Sequence, residues 1–473
     1  MAVTIPDSFC GYVTIEDSRY AFFVNGHVVK LLPAGKEGQD QRPAIIGLIP
    51  QEENNRNDCK YIYGYDESQN QIALLQPGSL SDFFIGTSFF APIIIKSNGN
   101  ADGFYRMLTK DWKQYDAIVF SGGIIDSLYN PKIAALKRPT LEEQKAAFSN
   151  YDGAHSIEIK PFSDYTLDTS IEIAGQKAKL VLSVSQSGGE GNVNTTDLGS
   201  LKSFIQLQFD NPQEFITLHR YIQVIKATLA VLAQQNNIDF DVSIKQRTED
   251  GKFMSTGICK VFMDSENFYN PQNHQVVPIQ SLFDHIPQII RIVASGEADT
   301  VLALLPERNK DRKRVTISNV QDLCTALETE YKLYSSNTLT TKDAAVQQLK
   351  KKIKSTIKAF TAENSNIDPD KETTISSCFQ YLDLNLKNKI FALYEQHKTA
   401  VDGIRQKYSL PDITIESIGE FVNLRNTKVH TGKIAWSMSA NLYTALFALV
   451  YSCFFARADV PSDTIPQVIS RMF

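Results

Sequence analysis

Arg425 and His430, near the C-terminal end of the chain, are side chains of the types that act on phosphodiesters. They lie in the segment NLRNTKVHTG, Asn423 to Gly432, with four residues between them. An imidazole exchanges protons near neutral pH, and a guanidinium carries a fixed charge that stabilises a phosphorane. The spacing alone is a weak signal, because an arginine paired to a core carboxylate beside a surface histidine gives the same pattern.

A helix must position these two side chains. The pattern predicts one from Thr414 to His430, capped at its start by Asp412 or Thr414 and ended by Gly432. Its apolar side chains form one stripe: Ile415, Ile418, Phe421, Val422 and Val429. Arg425 falls inside that stripe at the helical rotation of about 100° per residue. Because an unpaired buried guanidinium is costly, the position requires either a carboxylate or an anionic ligand.

His430 is predicted at the edge of the same stripe. Asn423 and Asn426 share its flank, and Asn426 lies one turn before it. The end of the helix would therefore present a histidine and two amides beside the arginine.

This segment, VNLRNTKVHTG, resembles the motif of HEPN domains, and in particular the ApeA-like branch found in bacterial abortive-infection and anti-phage proteins. That family is similar in having an arginine, a polar residue and a histidine in a C-terminal helical bundle. Here those residues are Arg425, Asn426 and His430. The segment DAIVFSGGIIDSLYNP, Asp116 to Pro131, loosely resembles the sheet-containing domain that precedes the bundle in such chains.

The resemblance implies an RNA endonuclease that needs no metal and no cofactor. His430 would take the proton of the ribose 2′-hydroxyl or protonate the leaving oxygen, and Arg425 would hold the phosphate. Asn426 would orient the histidine or the phosphate, and a 2′,3′-cyclic phosphate would remain. Such domains typically act as homodimers, or as higher even oligomers, in which two motifs face one cleft.

A second interpretation stays open, because members of the family that lost catalysis keep the bundle. The chain would then be an inactive scaffold or a ligand-sensing binding protein, with Arg425 as a structural ion-pair partner. A third interpretation, a membrane-associated toxin, would use the uncharged segment from Ile434 to Ala456. Its length suffices for a span, but its recurring serines favour a buried bundle helix.

Further polar residues are candidates for RNA contact: Asn423, Lys428, Lys351, Lys352 and Lys354. The three lysines belong to QLKKKIKSTIK, Gln348 to Lys358, which is basic along one predicted helix. Such a run is usually a solvated face, yet beside an RNA cleft it would contact phosphates.

The whole pattern predicts an α+β multidomain protein. Residues 1–210 form a β-rich sensor-like domain, 211–305 a mixed α/β continuation, 306–316 a charged connector, and 317–473 the all-α HEPN bundle.

Strand-like runs occur at 44–49, 60–65, 71–75, 89–95 and 117–120, and hairpin turns are indicated at Asn25-Gly26, Ala174-Gly175 and Glu249–Gly251. A long helix is predicted from Pro212 to Asn236. Five helices are predicted after the connector: Asn319–Tyr334, Lys342–Ala362, Thr374–Tyr408, Thr414–His430 and Ile434–Arg457.

Composition and residue spacing bear on the class of protein and on its cellular location. The net charge of −5 excludes a basic nucleic-acid coat, and the six cysteines are scattered without paired spacing. The other histidines show no metal-binding spacing, so no metal site is predicted. These features indicate a cytoplasmic protein without a membrane span, whose N-terminal region would respond to a phage-derived or small-ligand trigger.

Overall fold

The structure is a computed structural model of the 473-residue chain. It describes residues 8–15, 18–25, 28–34, 60–67, 71–76, 93–96, 113–137, 140, 142, 159–186, 201–260, 276–307, 315–338, 344–364, 375, 385–431 and 439–470. Two compact units are present. The sheet unit comprises Met1–Gly296 with Leu305–Asp311, and the helical unit comprises Glu297–Leu304 with Arg312–Phe473. The α+β class predicted from the sequence is therefore confirmed.

The sheet unit is built on one antiparallel sheet of 12 described strands. They are β1 (Ser8–Ile15), β2 (Ser18–Asn25), β3 (Val28–Pro33), β4 (Lys60–Asp66), β5 (Gln71–Gln76), β6 (Ile93–Lys96), β7 (Gln114–Ser121), β8 (Leu167–Ile173), β9 (Gln176–Gln186), β10 (Leu201–Glu214), β11 (Asp241–Arg247) and β12 (Phe253–Lys260). Their order is β3-β2-β1-β4-β5-β6-β12-β11-β7-β10-β9-β8. At both ends of the sheet, strands that follow one another in sequence pair with each other, whereas the central strands come from distant parts of the chain.

Turn chemistry explains the hairpins. Ala174 and Gly175 both have positive φ (52° and 78°), which is the two-residue turn that best joins twisted antiparallel strands. In the β2–β3 hairpin Asn25, predicted as a turn residue, still pairs with Val28, and Gly26 lies outside the described residues. The predicted strand at 44–49 lies outside the described residues.

Helices pack on this sheet: α1 (Gly123–Leu128), α2 (Pro131–Ala135), α3 (Phe215–Ala233) and α4 (Ile286–Ala294). The predicted long helix is α3, whose Leu218, Ile225 and Leu229 are fully buried. It ends where Gln234 takes the left-handed conformation and donates its backbone N–H to the Ala230 carbonyl.

The helical unit contains α5 (Asp299–Ala303), α6 (Ile317–Thr338), α7 (Ala344–Glu363), α8 (Leu386–Tyr408), α9 (Ile415–Thr431), α10 (Ser439–Arg457) and α11 (Ile465–Ile469). Helix α8 packs against α6, α9, α10 and α11. The predicted single helix from Thr374 to Tyr408 is interrupted at residue 385; before that point Ile375 is helical, and residues 374 and 376–384 lie outside the described part of the chain. The backbone of Asn385 is extended, and its side chain accepts a hydrogen bond from the Asn388 N–H, so α8 begins at Leu386.

Helix α10 is the uncharged segment that raised the membrane question. Its side chains from Leu442 to Phe455 are buried except for half-buried Thr444. Among the described helices, α3 and α10 are long and apolar enough to cross a bilayer, and most of each lies inside the protein. Packing in the core of the helical unit therefore accounts for the composition of α10.

Candidate active site

Hydrogen bonds fix the start of α9, the helix that carries the predicted motif. The Thr414 hydroxyl accepts from the Ser417 N–H (3.1 Å), and the Ser417 hydroxyl accepts from the Thr414 N–H (3.0 Å), which confirms Thr414 as the cap. Asp412, the other predicted cap, instead forms an ion pair with Arg405. Arg405 also donates to the Pro411 carbonyl at 2.7 Å, so it anchors the α8–α9 connection.

The predicted stripe of α9 is confirmed at its centre; Ile415 and Val422 are half-buried, and the side chain of Val429 lies outside the described part of the chain. Ile418 and Phe421 are fully buried, and Arg425, one turn further along the same face, is half-buried. Asn423 is exposed. The helix continues to Thr431, so the backbone positions of the other predicted motif residues lie in its last two turns. The side chains of Asn426, Lys428 and His430 lie outside the described part of the structure.

Arg425 lies at the packed interface of α9 with α6, where its charge acts on two side chains. Burial raises the pKa of the Cys324 thiol to about 11, and the Arg425 charge opposes that rise. The same charge contributes to the lowered pKa of the Glu328 carboxyl. The guanidinium is therefore near both groups without reaching hydrogen-bonding distance of either.

Glu328 has another cation as its direct partner. The Lys389 ammonium from α8 lies 3.0 Å from its carboxylate, and that of Lys332 lies at 3.7 Å. The hydrogen bond from Lys389 is the main cause of the lowered Glu328 pKa, and the charges of Lys389, Lys332 and Arg425 add to it. Among the described residues, no carboxylate lies within 4.0 Å of the Arg425 guanidinium.

These four side chains, Arg425, Lys389, Lys332 and Glu328, are here called the Glu328 cluster. Three positively charged side chains lie around the Glu328 carboxylate: Lys389 and Arg425 are half-buried, whereas Lys332 is 68% exposed and takes part in a further interaction. Because low dielectric strengthens electrostatic interactions, the half-buried guanidinium of Arg425 attracts an anion such as a phosphate. The cluster therefore suits the charge that the predicted chemistry requires.

Sequence reasoning identified only one member of this cluster. Glu328 and Lys332 have the i,i+4 spacing of an ordinary helix ion pair, which is too common to indicate a site. Lys389 comes from α8 and has no spacing relation to the α9 motif. These residues come together only because α6, α8 and α9 pack against one another, and this packing cannot be predicted from the sequence pattern.

A second charged group holds α6 from its other side. The Arg457 guanidinium donates two hydrogen bonds, of 2.7 and 3.1 Å, to the buried Glu330 carboxylate. It donates a third, of 3.1 Å, to the Glu297 carboxylate. Burial raises the pKa of Glu330, although the Arg457 charge opposes the rise. Because Glu330 is two residues after Glu328, this group fixes the rotation of α6 that directs Glu328 toward Arg425 and Lys389.

The other predicted RNA contacts lie on α7. Lys351, Lys352 and Lys354 are exposed there, and they take no part in the described interactions of the Glu328 cluster. Their role in RNA binding stays a prediction.

Comparisons with known proteins found no matching family model, no matching curated protein and no matching solved structure. The search for a metal site, restricted to the described residues, found no group of three or more His, Cys, Asp or Glu side chains. The function is therefore argued from the α9 segment and from the geometry around it.

Proposed function

We propose that this chain is a HEPN-type endoribonuclease of the ApeA-like kind, acting in anti-phage or abortive-infection defence. The observation that supports the proposal best is the Glu328 cluster. Arg425 is half-buried, its neighbouring carboxylate is hydrogen-bonded to Lys389, and no carboxylate among the described residues lies within hydrogen-bonding distance of its guanidinium. A guanidinium in this state is suited to an anionic ligand.

The proposed reaction is an internal phosphoryl transfer in RNA. The His430 imidazole accepts the proton of a ribose 2′-hydroxyl, and the 2′-oxygen forms a bond to the adjacent phosphorus. The bond from phosphorus to the 5′-oxygen breaks, and that oxygen takes a proton from the second imidazole of a dimer. The products are a 2′,3′-cyclic phosphate and a 5′-hydroxyl. Arg425 stabilises the charge that accumulates on the phosphorane oxygens, and Asn426 orients the histidine or the phosphate.

The proposal includes the setting of this activity. The active form is a homodimer, or a higher even oligomer, assembled through the helical unit as a HEPN bundle. The sheet unit serves as the sensor for a phage-derived or small-ligand trigger, and the protein works in the cytoplasm. Asn423, Lys428 and the α7 lysines assist RNA binding.

Cleavage of RNA in EDTA tests the proposal. Wild-type protein is expected to leave 2′,3′-cyclic phosphate ends, and His430→Ala is expected to lower the rate by roughly 10²- to 10⁴-fold, as loss of a general base does. Arg425→Ala should lower it by roughly 10²- to 10³-fold. Arg220→Ala, which removes an exposed arginine from α3, is the control and should cleave like wild type. Equal cleavage by wild type and His430→Ala, or none by wild type, would contradict the assignment.

An inactive scaffold remains the second candidate, because Glu328 is close enough to Arg425 for electrostatic interaction. Glu328→Gln separates the two functions. If the cluster binds RNA, the variant gains positive charge and binds RNA more tightly, with a stability loss of only about 1 kcal/mol for a partly exposed ion pair. If Arg425 depends on Glu328 for structure, the variant loses several kcal/mol and binds no better. Glu395→Gln, which breaks an exposed ion pair on α8, is the matched control.

A further inference from the structure

One outer face of the sheet unit carries exposed aromatic side chains on neighbouring strands. Tyr12 on β1 is 47% exposed, Phe23 on β2 45% and Tyr65 on β4 51%. Alternation along each strand places their neighbours Val13, Phe22 and Asp66 on the opposite, buried face. Aromatic rings exposed in one group on a sheet are uncommon, and such groups mark binding surfaces.

Strand register aligns these rings. Tyr65 is the direct partner of Tyr12, Tyr12 is the partner of Ala21, and Ala21 is the partner of Leu32. The row therefore crosses four strands in steps of roughly 4.8 Å, with two tyrosines side by side at one end. Phe23 lies in the next row of the same face, diagonal to Tyr12.

Two glycines bring the tyrosine strands together. A Cβ added at Gly64 would collide with the Tyr12 carbonyl oxygen, and one added at Gly11 would collide with the Tyr65 carbonyl oxygen. Since only glycine fits at both places, β1 and β4 approach closely and hold the two rings next to each other.

Cations accompany the rings. The Arg19 guanidinium lies 4.0 Å from the centre of the Tyr12 ring, and no carboxylate among the described residues pairs with it. The Lys113 ammonium lies 4.1 Å from the centre of the Tyr63 ring. Tyr63 is on β4, two residues before Tyr65. Positive charge stacked on the exposed Tyr12 ring and on the half-buried Tyr63 ring fits a ligand that is both anionic and aromatic.

We propose that this surface, consisting of Tyr12, Phe23, Tyr65 and Arg19 and here called the tyrosine platform, binds single-stranded RNA by base stacking. Unpaired bases stack on Tyr65, on Phe23 and on the guanidinium plane of Arg19 that the Tyr12 ring supports, and the charge of Arg19 attracts the phosphate backbone. Duplex RNA does not fit, because its bases are stacked on each other and their faces are unavailable. The choice of RNA as the nucleic acid rests on the proposed function, whereas the stacking surface is argued from the sheet unit alone.

Binding of a fluorescent single-stranded RNA 12-mer, measured by anisotropy on the full chain, tests the platform. The background is the Arg425→Ala, His430→Ala double variant, so that neither cleavage nor the Glu328 cluster dominates the signal. Tyr12→Leu and Tyr65→Leu are each expected to weaken binding roughly tenfold, and Tyr12→Phe to preserve it, because phenylalanine keeps the ring. Arg19→Gln should reduce the salt dependence of binding.

Leu32→Ala is the matched control, because it removes an exposed apolar side chain from the same row without removing a ring. It should bind like the background protein, and a duplex of the same length should bind more weakly than the single strand. Equal losses of RNA affinity in Leu32→Ala and Tyr12→Leu would show that binding does not depend on the aromatic ring, and would overturn the proposal. Unchanged binding in both tyrosine-to-leucine variants would also overturn it. Failure of wild type to cleave RNA would remove the nuclease assignment and leave these binding results intact.

Discussion

His397 is a buried histidine whose ring nitrogen Nε2 has no hydrogen-bond partner among the described residues. It lies in the middle of α8, where its backbone leaves helical geometry (φ −104°, ψ 17°). Its ring packs edge-on against Tyr334, with 5.1 Å between ring centres. Burial lowers the pKa of this imidazole to about 4, because the charged form would lose its hydration without gaining a partner.

This pKa predicts a loss of stability in acid. Between pH 6.5 and about 4 the unfolded chain takes up a proton at residue 397 that the folded chain does not, so the free energy of unfolding falls as the pH falls. The contribution of this residue amounts to at most about 3 kcal/mol. His397→Gln does not titrate and should flatten the dependence. Urea unfolding followed by circular dichroism at pH 7 and pH 4.5 measures the difference, and parallel losses in both proteins would contradict the prediction.

Arg425 shows how far single residues could be predicted from sequence. Its place on the buried stripe of α9 follows from helical period alone, and the burial of Ile418 and Phe421 confirms that stripe. The carboxylate near it could not be predicted, since Glu328 comes from a helix almost a hundred residues earlier. Periodicity defines which face of a helix is buried, whereas its neighbours depend on packing between helices.

Among the elements, α6 is held from two sides by charged groups. Glu328 faces α8 and α9, and Glu330 faces α10, where Arg457 binds it. Arg457 also binds Glu297, just before α5, so one guanidinium joins three segments of the helical unit. A buried ion pair adds little net stability over an apolar pair, but leaving one partner alone is costly.

We therefore expect Glu330→Gln to destabilise the helical unit by about 1–3 kcal/mol, because Arg457 loses its buried partner and keeps only the partly exposed Glu297. The double variant Glu330→Met, Arg457→Met should recover a large part of that loss. Chemical denaturation measures both. The exposed pair Lys398 and Glu395 serves as the comparison, and breaking it should cost less than about 1 kcal/mol. Similar costs for the two pairs would contradict a structural role for the buried one.

Local signals predicted elements well and their assembly poorly. The Ala174-Gly175 hairpin and the helix α3 follow from turn residues and from period; the hairpin occurs as predicted, and α3 is three residues shorter at each end than predicted. The order of the sheet does not, because β7 pairs with β10 and β11, which lie far along the chain. Such pairings depend on contacts between distant segments, which a local pattern does not encode. Asn385 was missed because its capping signal lies within a continuous apolar pattern.

At the scale of the whole molecule, two surfaces with different chemistry are assigned to one ligand. The Glu328 cluster of the helical unit has positive charge for a phosphate, and the tyrosine platform of the sheet unit has ring faces for unpaired bases. The two surfaces therefore offer different kinds of contact. Phosphate contacts give affinity that is independent of sequence and falls with salt, whereas stacking selects single strands.

The last prediction follows from the proposed homodimer, because the proposed reaction uses one imidazole from each copy. Wild-type chains mixed and exchanged with a ninefold excess of His430→Ala chains would mostly form mixed dimers, and only about one tenth would find a wild-type partner. If both imidazoles are required, the cleavage rate per wild-type chain falls to about that fraction. An equal mass of an inert protein controls for dilution and crowding. If the excess of His430→Ala chains leaves the cleavage rate per wild-type chain unchanged, one imidazole suffices. The proposal of a cleft composed from both copies would then be wrong.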